Sequence, residues 1–261
     1  MCGTCGCSTT PDSLERLPKE EATETVSVLS NLLSKNNHAA AHNREHLDRA
    51  GVLCINLMSS PGAGKTALLE ATIDALAGRY RIGVIEGDLE TENDAERIRA
   101  KGVPAVQIST GTACHLDAHM VHRALHDLTL GDLDILFIEN VGNLVCPASF
   151  DLGHHLNVTL LSTTEGDDKP AKYPVMFRST DLMLLTKGDL LAVLDDFQPE
   201  RAEAALRNLA NAAPCLTVSS RDADSLAPWL NWLDARVADL KQGAPLNPVM
   251  QPDGALMHAA E

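Results

Sequence analysis

The chain has 261 residues and a formal net charge of -15, from 36 acidic and 21 basic side chains. That balance leaves no broad basic surface for a nucleic-acid backbone or an anionic membrane, so proteins and small ions are the expected partners. The length suits one α/β domain of about 200 residues with appendages. The start shows no basic segment followed by an apolar core, and the apolar runs are strand-sized, which points to a cytoplasmic protein.

In chain order, residues 1–18 are rich in Gly, Thr, Ser and Pro without a periodic apolar face, and predict a flexible arm. Residues 19–50 turn helical, with Val26, Leu29, Leu32 and Leu33 spaced for one face, and this leading helix is expected to end at Gly51. Apolar runs then recur at Val52, Arg81, Ala105, Leu133, Val158, Asp181 and Cys215, with helical stretches between them. Such alternation predicts a mostly parallel sheet flanked by helices over residues 51–241. Residues 242–261 mix Gly, Pro, Asn and Gln without a period and predict a mobile tail.

The first apolar run, VLCINLM, leads into SSPGAGKTALLEATIDAL, which reads as strand, glycine turn and helix. That is the setting of a phosphate loop, so the α/β domain is expected to be a P-loop NTPase. Gly62, Ala63 and Gly64 form the turn whose backbone N–H groups face the phosphates. Lys65 reaches the terminal phosphates, and the Thr66 hydroxyl is placed for Mg2+. Ser59 stands where the usual pattern begins with glycine. Two acidic strand ends, Asp88 in EGD and Glu139 in IENVG, are candidates to complete the magnesium site. Gly142, three residues past Glu139, is placed to donate its N–H to the γ-phosphate.

Base choice is read from LLTKGDLL. The stem of Lys187 can cover a guanine while the Asp189 carboxylate accepts from its two N–H donors, a pair that adenine lacks. Thr186 occupies the place of the usual Asn, so one loop-bracing hydrogen bond is expected to differ. Ser219, in the later VSS turn, is expected where such a loop closes over the base. These residues predict GTP with Mg2+, and Lys65, Thr66, Asp88 and Glu139 form the expected catalytic set.

Seven cysteines are an odd number for a disulfide framework and read as thiols and ligands. Cys2, Cys5 and Cys7 stand together in the arm, and removal of Met1 would add the Cys2 amine as a further donor. Thiolates choose soft or borderline ions such as Zn2+, Ni2+ or Cu(I). Cys114 and His115 fall where a helix is expected to start, and Cys146 lies four residues past Gly142. Adjacent helical side chains diverge by about 100°, which argues against a complete site from one subunit unless the helix start frays or a second subunit contributes. Cys54 and Cys215 lie inside apolar strands and are assigned to the core. His115, His119, His122 and His126 fall near one helix face, while His38, His42 and His46 recur every four residues on the leading helix. Either stripe could chelate an ion, but both are read as polar surface or interface; His154 and His155 are assigned no role.

The motifs C-x-x-C-x-C, NREHL, NLMSSPGAGKT, GDLETENDAERI, CHLDA, ENVGNLVCP, DLG, TEGDDKPAKYP, TKGDLL and PWLNWL run through most of the chain. On these motifs it resembles the HypB family of hydrogenase nickel-incorporation GTPases. The resemblance implies a slow GTPase that helps load nickel into a NiFe hydrogenase large-subunit precursor. A HypA-type metallochaperone is the implied co-worker, and GTP-dependent homodimerisation is implied as well. It further implies tight nickel binding at Cys2, Cys5 and Cys7, and a second site for zinc or nickel at Cys114, His115 and Cys146 near the subunit boundary. Two other readings compete: a nickel GTPase serving urease, whose histidine-rich start is not matched here, and a metal buffer with a vestigial nucleotide fold. Lys65, Thr66, Glu139 and Asp189 argue against the buffer.

Overall fold

The computed structural model describes residues 19–88, 93–111 and 113–249, with side chains from residue 33 onward. Cys2, Cys5 and Cys7 lie outside the described residues. Helix α1 (Lys19–Ala50) stops at Gly51, whose φ of 67° suits a glycine after a helix end. Strand β1 (Leu53–Ser59) and helix α2 (Lys65–Leu76) follow, then β2 (Ile82–Asp88), α3 (Asn93–Ala100), β3 (Ala105–Ser109) and α4 (Ala118–His126). The second half runs β4 (Ile135–Glu139), β5 (Leu156–Ser162), two short helices α5 (Lys169–Lys172) and α6 (Pro174–Arg178), and β6 (Leu182–Thr186). It closes with α7 (Pro199–Arg207), β7 (Cys215–Thr217) and α8 (Ala227–Lys241). Each expected apolar run supplies one strand.

All strand pairings are parallel, in the order β3-β2-β4-β1-β5-β6-β7. The chain leaves β1 in one direction and later returns to its other side as β5, so the carboxyl end of β1 is where an open α/β sheet binds its ligand. Alternation along each strand divides the core. Ile135 and Phe137 point to the layer holding α2 and α8, where Trp229 is wholly buried, whereas Leu136 and Ile138 point to the layer holding α1 and α4. Beyond β5, Met183, Leu185, Phe177 and Leu206 form a third cluster. Cys54 is fully buried and Cys215 partly so, and burial pushes both thiols upward, Cys215 to about 11.

The NREHL and DLG segments fasten α1 to the sheet. Arg44 pairs with Asp151 at 2.8 Å, and the Asn43 side-chain amide donates to the Leu152 carbonyl at 3.0 Å. His155 Nδ1 accepts from the Cys54 N–H at 2.8 Å, so its Nε2–H donates to Asp48 at 2.9 Å. That bond is the main reason the Asp48 carboxyl is held below its ordinary range. Gly153 makes this approach possible: its φ is +86°, and a Cβ there would stand 2.5 Å from the Ala40 carbonyl oxygen and 2.5 Å from Asn43 Cβ. Gly153→Ala is therefore expected to cost about 3 kcal/mol or more, combining backbone strain with overpacking. Denaturant unfolding checks this, and a loss below about 1 kcal/mol would mean the helix can shift outward at little cost.

The tail departs from expectation at its start. Leu246 packs on the main core, and the Val249 N–H donates to Asp181 at 2.6 Å, so residues 242–249 lie against the domain. No helix among the described residues is long and apolar enough to cross a membrane.

Candidate functional site

The turn between β1 and α2 holds Gly62 and Gly64 at φ of 75° and 95°, values that favour glycine and let successive N–H groups turn to one side. Ser59, in the position of the missing glycine, accepts a hydrogen bond from Lys65 Nζ at 3.1 Å and so orients the lysine. Thr66 Oγ1 donates to Glu139 Oε1 at 2.9 Å, and Lys65 Nζ stands 3.9 Å from the same oxygen. Gly142 lies against the loop, since a Cβ there would meet Pro61 Cα at 2.9 Å. Gly62, Gly64, Lys65, Thr66, Glu139 and Gly142 line a cavity of about 410 Å³ that also takes in Glu86, Asp88 and Asp94.

Pairing of β2 with β4 sets Glu86 beside Glu139, and carboxylate oxygens of Glu86, Asp94 and Glu139 all lie within 4.8 Å of one another. Burial, then the Glu139 charge, pushes the Glu86 carboxyl up to about 11. Burial also raises Glu139, but the Lys65 ammonium works against the rise, so the proton of the pair belongs on Glu86. Glu86 Oε2 and Glu139 Oε2 are buried without a hydrogen-bond partner. Unpartnered buried oxygens beside a third carboxylate are the chemistry that suits a hard divalent cation. Asp88 borders this cavity, while Glu86 and Asp94 are the carboxylates gathered with Glu139. Sequence reasoning assigned neither of those two, although Glu86, two residues before Asp88 on one strand, points to the same side of the sheet.

A second cavity of about 370 Å³ adjoins the loop and is lined by Ala63, Gly64, Thr186, Lys187, Asp189 and Val218, among others. Thr186 makes the bracing bond in its own way, its Oγ1 donating to the Ala63 carbonyl at 2.7 Å. Lys187 Nζ donates to the Gly62 carbonyl at 2.9 Å, which lays the lysine stem along this cavity. Ser219 Oγ donates to Asp189 Oδ1 at 2.6 Å. Ser219 thus aims the carboxylate, and Ser220 and Arg221 line the wall where closure over a base was expected of Ser219.

Cys114, His115 and Cys146 come together within one chain, their ligand atoms all within 4.8 Å. The expected obstacle is absent because α4 begins only at Ala118, capped by Asp117, whose carboxylate accepts from the Met120 N–H at 2.8 Å. Cys114 and His115 precede the helix and are not bound by its 100° step. The two sulfurs lie 2.9 Å apart and are not joined in a disulfide. His115 stacks on Phe150 with ring centres 4.0 Å apart, and burial holds its pKa below the ordinary value, which keeps the imidazole neutral and able to ligate.

Asn143, which sequence reasoning passed over, joins the two sites. Its N–H donates to the Ser59 carbonyl at 2.8 Å, and its side-chain amide donates to the Cys114 carbonyl at 3.3 Å. Nearby, Asn140 Oδ1 accepts from the Leu116 N–H at 3.3 Å. The ENVGN run thereby touches both the phosphate loop and the segment bearing Cys114 and His115.

Residues 53–217 match the CobW/HypB/UreG nucleotide-binding domain family. The hydrogenase maturation factor HypB of Azotobacter chroococcum mcd 1 is 52% identical over 210 residues, covering 80% of this chain and 68% of the relative. The hydrogenase/urease maturation factor HypB of Helicobacter pylori is 43% identical over 212 residues, covering 80% of this chain and 86% of the relative. A crystal structure of HypB from Helicobacter pylori in complex with nickel aligns with a TM-score of 0.76 at 41% identity, covering 82% of this chain and 98% of that one. The chain belongs to the CobW/HypB/UreG family and, within it, to the HypB hydrogenase maturation factors.

Proposed function

We propose that this chain is a slow GTP-hydrolysing nickel metallochaperone that helps insert nickel into a NiFe hydrogenase large-subunit precursor. A HypA-type metallochaperone is its co-worker, and a GTP-dependent homodimer is its working form. Lys187 and Asp189 select guanine, the loop from Gly62 to Thr66 cradles the phosphates, and Lys65 neutralises charge on the terminal ones. Thr66, Asp88 and Glu139, joined by Glu86 and Asp94, would hold Mg2+, which would supply neutralisation of the phosphate charge. Nickel is assigned to Cys2, Cys5 and Cys7, and zinc or nickel to Cys114, His115 and Cys146.

The observation that carries this reading is the bridge at Asn143, bonded to Ser59 on the phosphate side and Cys114 on the thiol side. A γ-phosphate that orders Gly142 acts on the segment leading directly to Cys146, so metal affinity should follow nucleotide state. Linkage makes the effect mutual. Metal titrations of the full chain with Cys2, Cys5 and Cys7 replaced by Ser, first with GDP and then with a non-hydrolysable GTP analogue, test this. The two affinities are expected to differ by about 1–3 kcal/mol, roughly 5- to 150-fold. Equal affinities, with Cys146 shown to be a ligand, would make the thiol site structural and end the switch proposal.

A further inference from the structure

The two histidine stripes, read from sequence as polar surface, meet in space. Helices α1 and α4 lie side by side and run the same way: Asn36 Oδ1 accepts from the Ala118 N–H at 2.9 Å at one end, and His46 meets His126 at the other. Two pairs spaced by four residues, His42 with His46 and His122 with His126, therefore face each other across the seam. Ring centres within these pairs are 4.4 and 4.7 Å apart. Across the seam they are 5.1 Å for His42–His122, 5.9 Å for His46–His122 and 6.1 Å for His46–His126.

An ion at the usual Zn–N distance of about 2.0–2.1 Å stands about 3.2 Å from a ring centre, so rings sharing it lie about 4.5 Å apart at right angles and about 5.2 Å apart in a tetrahedron. The spacings of 4.4, 4.7 and 5.1 Å fall at or within this range, whereas the 5.9 and 6.1 Å spacings from His46 to His122 and His126 lie beyond it, so the His46 ring must turn toward the other helix to share an ion. His122 Nε2 and His126 Nε2 are 3.2 Å apart. Two nitrogens at that spacing subtend about 100° at such an ion, near the tetrahedral value.

Asn43 decides which nitrogen of His122 is free. Both hydrogens of its buried amide are committed, to the Ala118 carbonyl at 2.8 Å and the Leu152 carbonyl at 3.0 Å. Its Oδ1 must then accept from His122 Nδ1, 2.9 Å away. His122 Nε2 is left with its lone pair aimed at His126, the tautomer that an outer-shell acceptor imposes on metal-binding histidines.

We propose that His42, His46, His122 and His126 form a solvent-facing site for a borderline divalent transition-metal ion, with Ni2+ and Zn2+ as the matching chemistry. The site shares no residue with the cluster of Cys114, His115 and Cys146 and contains no thiolate. It rests on neither the guanine reading nor the nickel-insertion reading. The test uses the full chain with Cys2, Cys5, Cys7, Cys114 and Cys146 all replaced by Ser, free of nucleotide, titrated at neutral pH with NiCl2 and separately with ZnCl2. One equivalent of ion is expected to bind. Adding His122→Ala and His126→Ala should abolish that event or weaken it by roughly tenfold or more, whereas His38→Ala with His119→Ala should leave it unchanged. Circular dichroism confirms folding, and His122→Gln with His126→Gln substitutes if the alanine pair unfolds. X-ray absorption of the nickel-loaded chain carrying the five serines, in which only the core cysteines Cys54 and Cys215 remain, should show scattering from multiple imidazoles. Failure of that chain to bind either ion, an equal loss in the His38/His119 control, or a nickel shell with a single imidazole overturns the proposal.

Discussion

Replacing Asp189 with Asn is expected to weaken GTP binding by roughly a hundredfold or more and to raise affinity for XTP. Guanine offers two N–H donors to the carboxylate, and each charge-assisted hydrogen bond is worth about 1.5–3 kcal/mol, so losing the pair costs about 3 kcal/mol or more. Geometry decides the sign for xanthine. The Ser219 hydroxyl already donates to Asp189 Oδ1 at 2.6 Å, so in the variant it retains the amide oxygen and the amide nitrogen turns toward the base. That nitrogen donates to the xanthine oxygen and meets the guanine amino group donor to donor. The Ser219 anchor also protects the fold, because Asn keeps the accepting atom. Competition binding with GTP, XTP and ATP reads the result. Unchanged GTP affinity, or ATP binding as tight as GTP in the parent chain, would remove Asp189 from base recognition.

Glu139→Gln is expected to lower GTP turnover by roughly 10²–10³-fold, the scale of removing one preorganised electrostatic group from a site of developing charge. The substitution is narrow. Gln preserves the volume and the oxygen that accepts from Thr66 Oγ1, and removes the charge that faces Lys65 at 3.9 Å. Without metal, burial and the Glu139 charge raise the Glu86 carboxyl, while the Lys65 ammonium works against the rise at Glu139, so Glu139 is the carboxylate of the pair that carries charge toward the phosphate cavity. Nucleotide affinity without Mg2+ is therefore expected to change by less than about tenfold, while the strengthening that Mg2+ confers is lost. Turnover measured beside nucleotide titrations, with and without Mg2+, separates the two effects. Parent-like turnover in this variant excludes Glu139 from the catalytic set.

The fold was legible because its signals are local. Each strand is a short apolar run bounded by turn residues, and the phosphate loop sits between the first run and a helix, so class and layer order follow from period and context. Boundaries were less so. CHLDA was read as a helix start, yet Asp117 caps the helix three residues after Cys114, and that displacement frees Cys114 and His115 to converge with Cys146. Thr186 shows the reverse: the expected bond differs in chemistry, but a hydroxyl reaches the Ala63 carbonyl and braces the loop.

By itself the sequence determined the α/β architecture, the phosphate loop at Gly62–Thr66, the T-K-x-D base signal and the family, since each is encoded in neighbouring residues whose backbone conformation is nearly dictated by their chemistry. Tertiary structure alone decided which distant groups share a site. Glu86 reaches Glu139 only through the pairing of β2 with β4, Asn143 joins Ser59 to Cys114 only through the turn after β4, and His42 meets His122 only where α1 lies on α4. In the second case, for example, three segments must be packed together before all three groups are joined. A residue's type states which bonds it can make, but its partners across the chain are set by the burial of the apolar faces that bring the elements together.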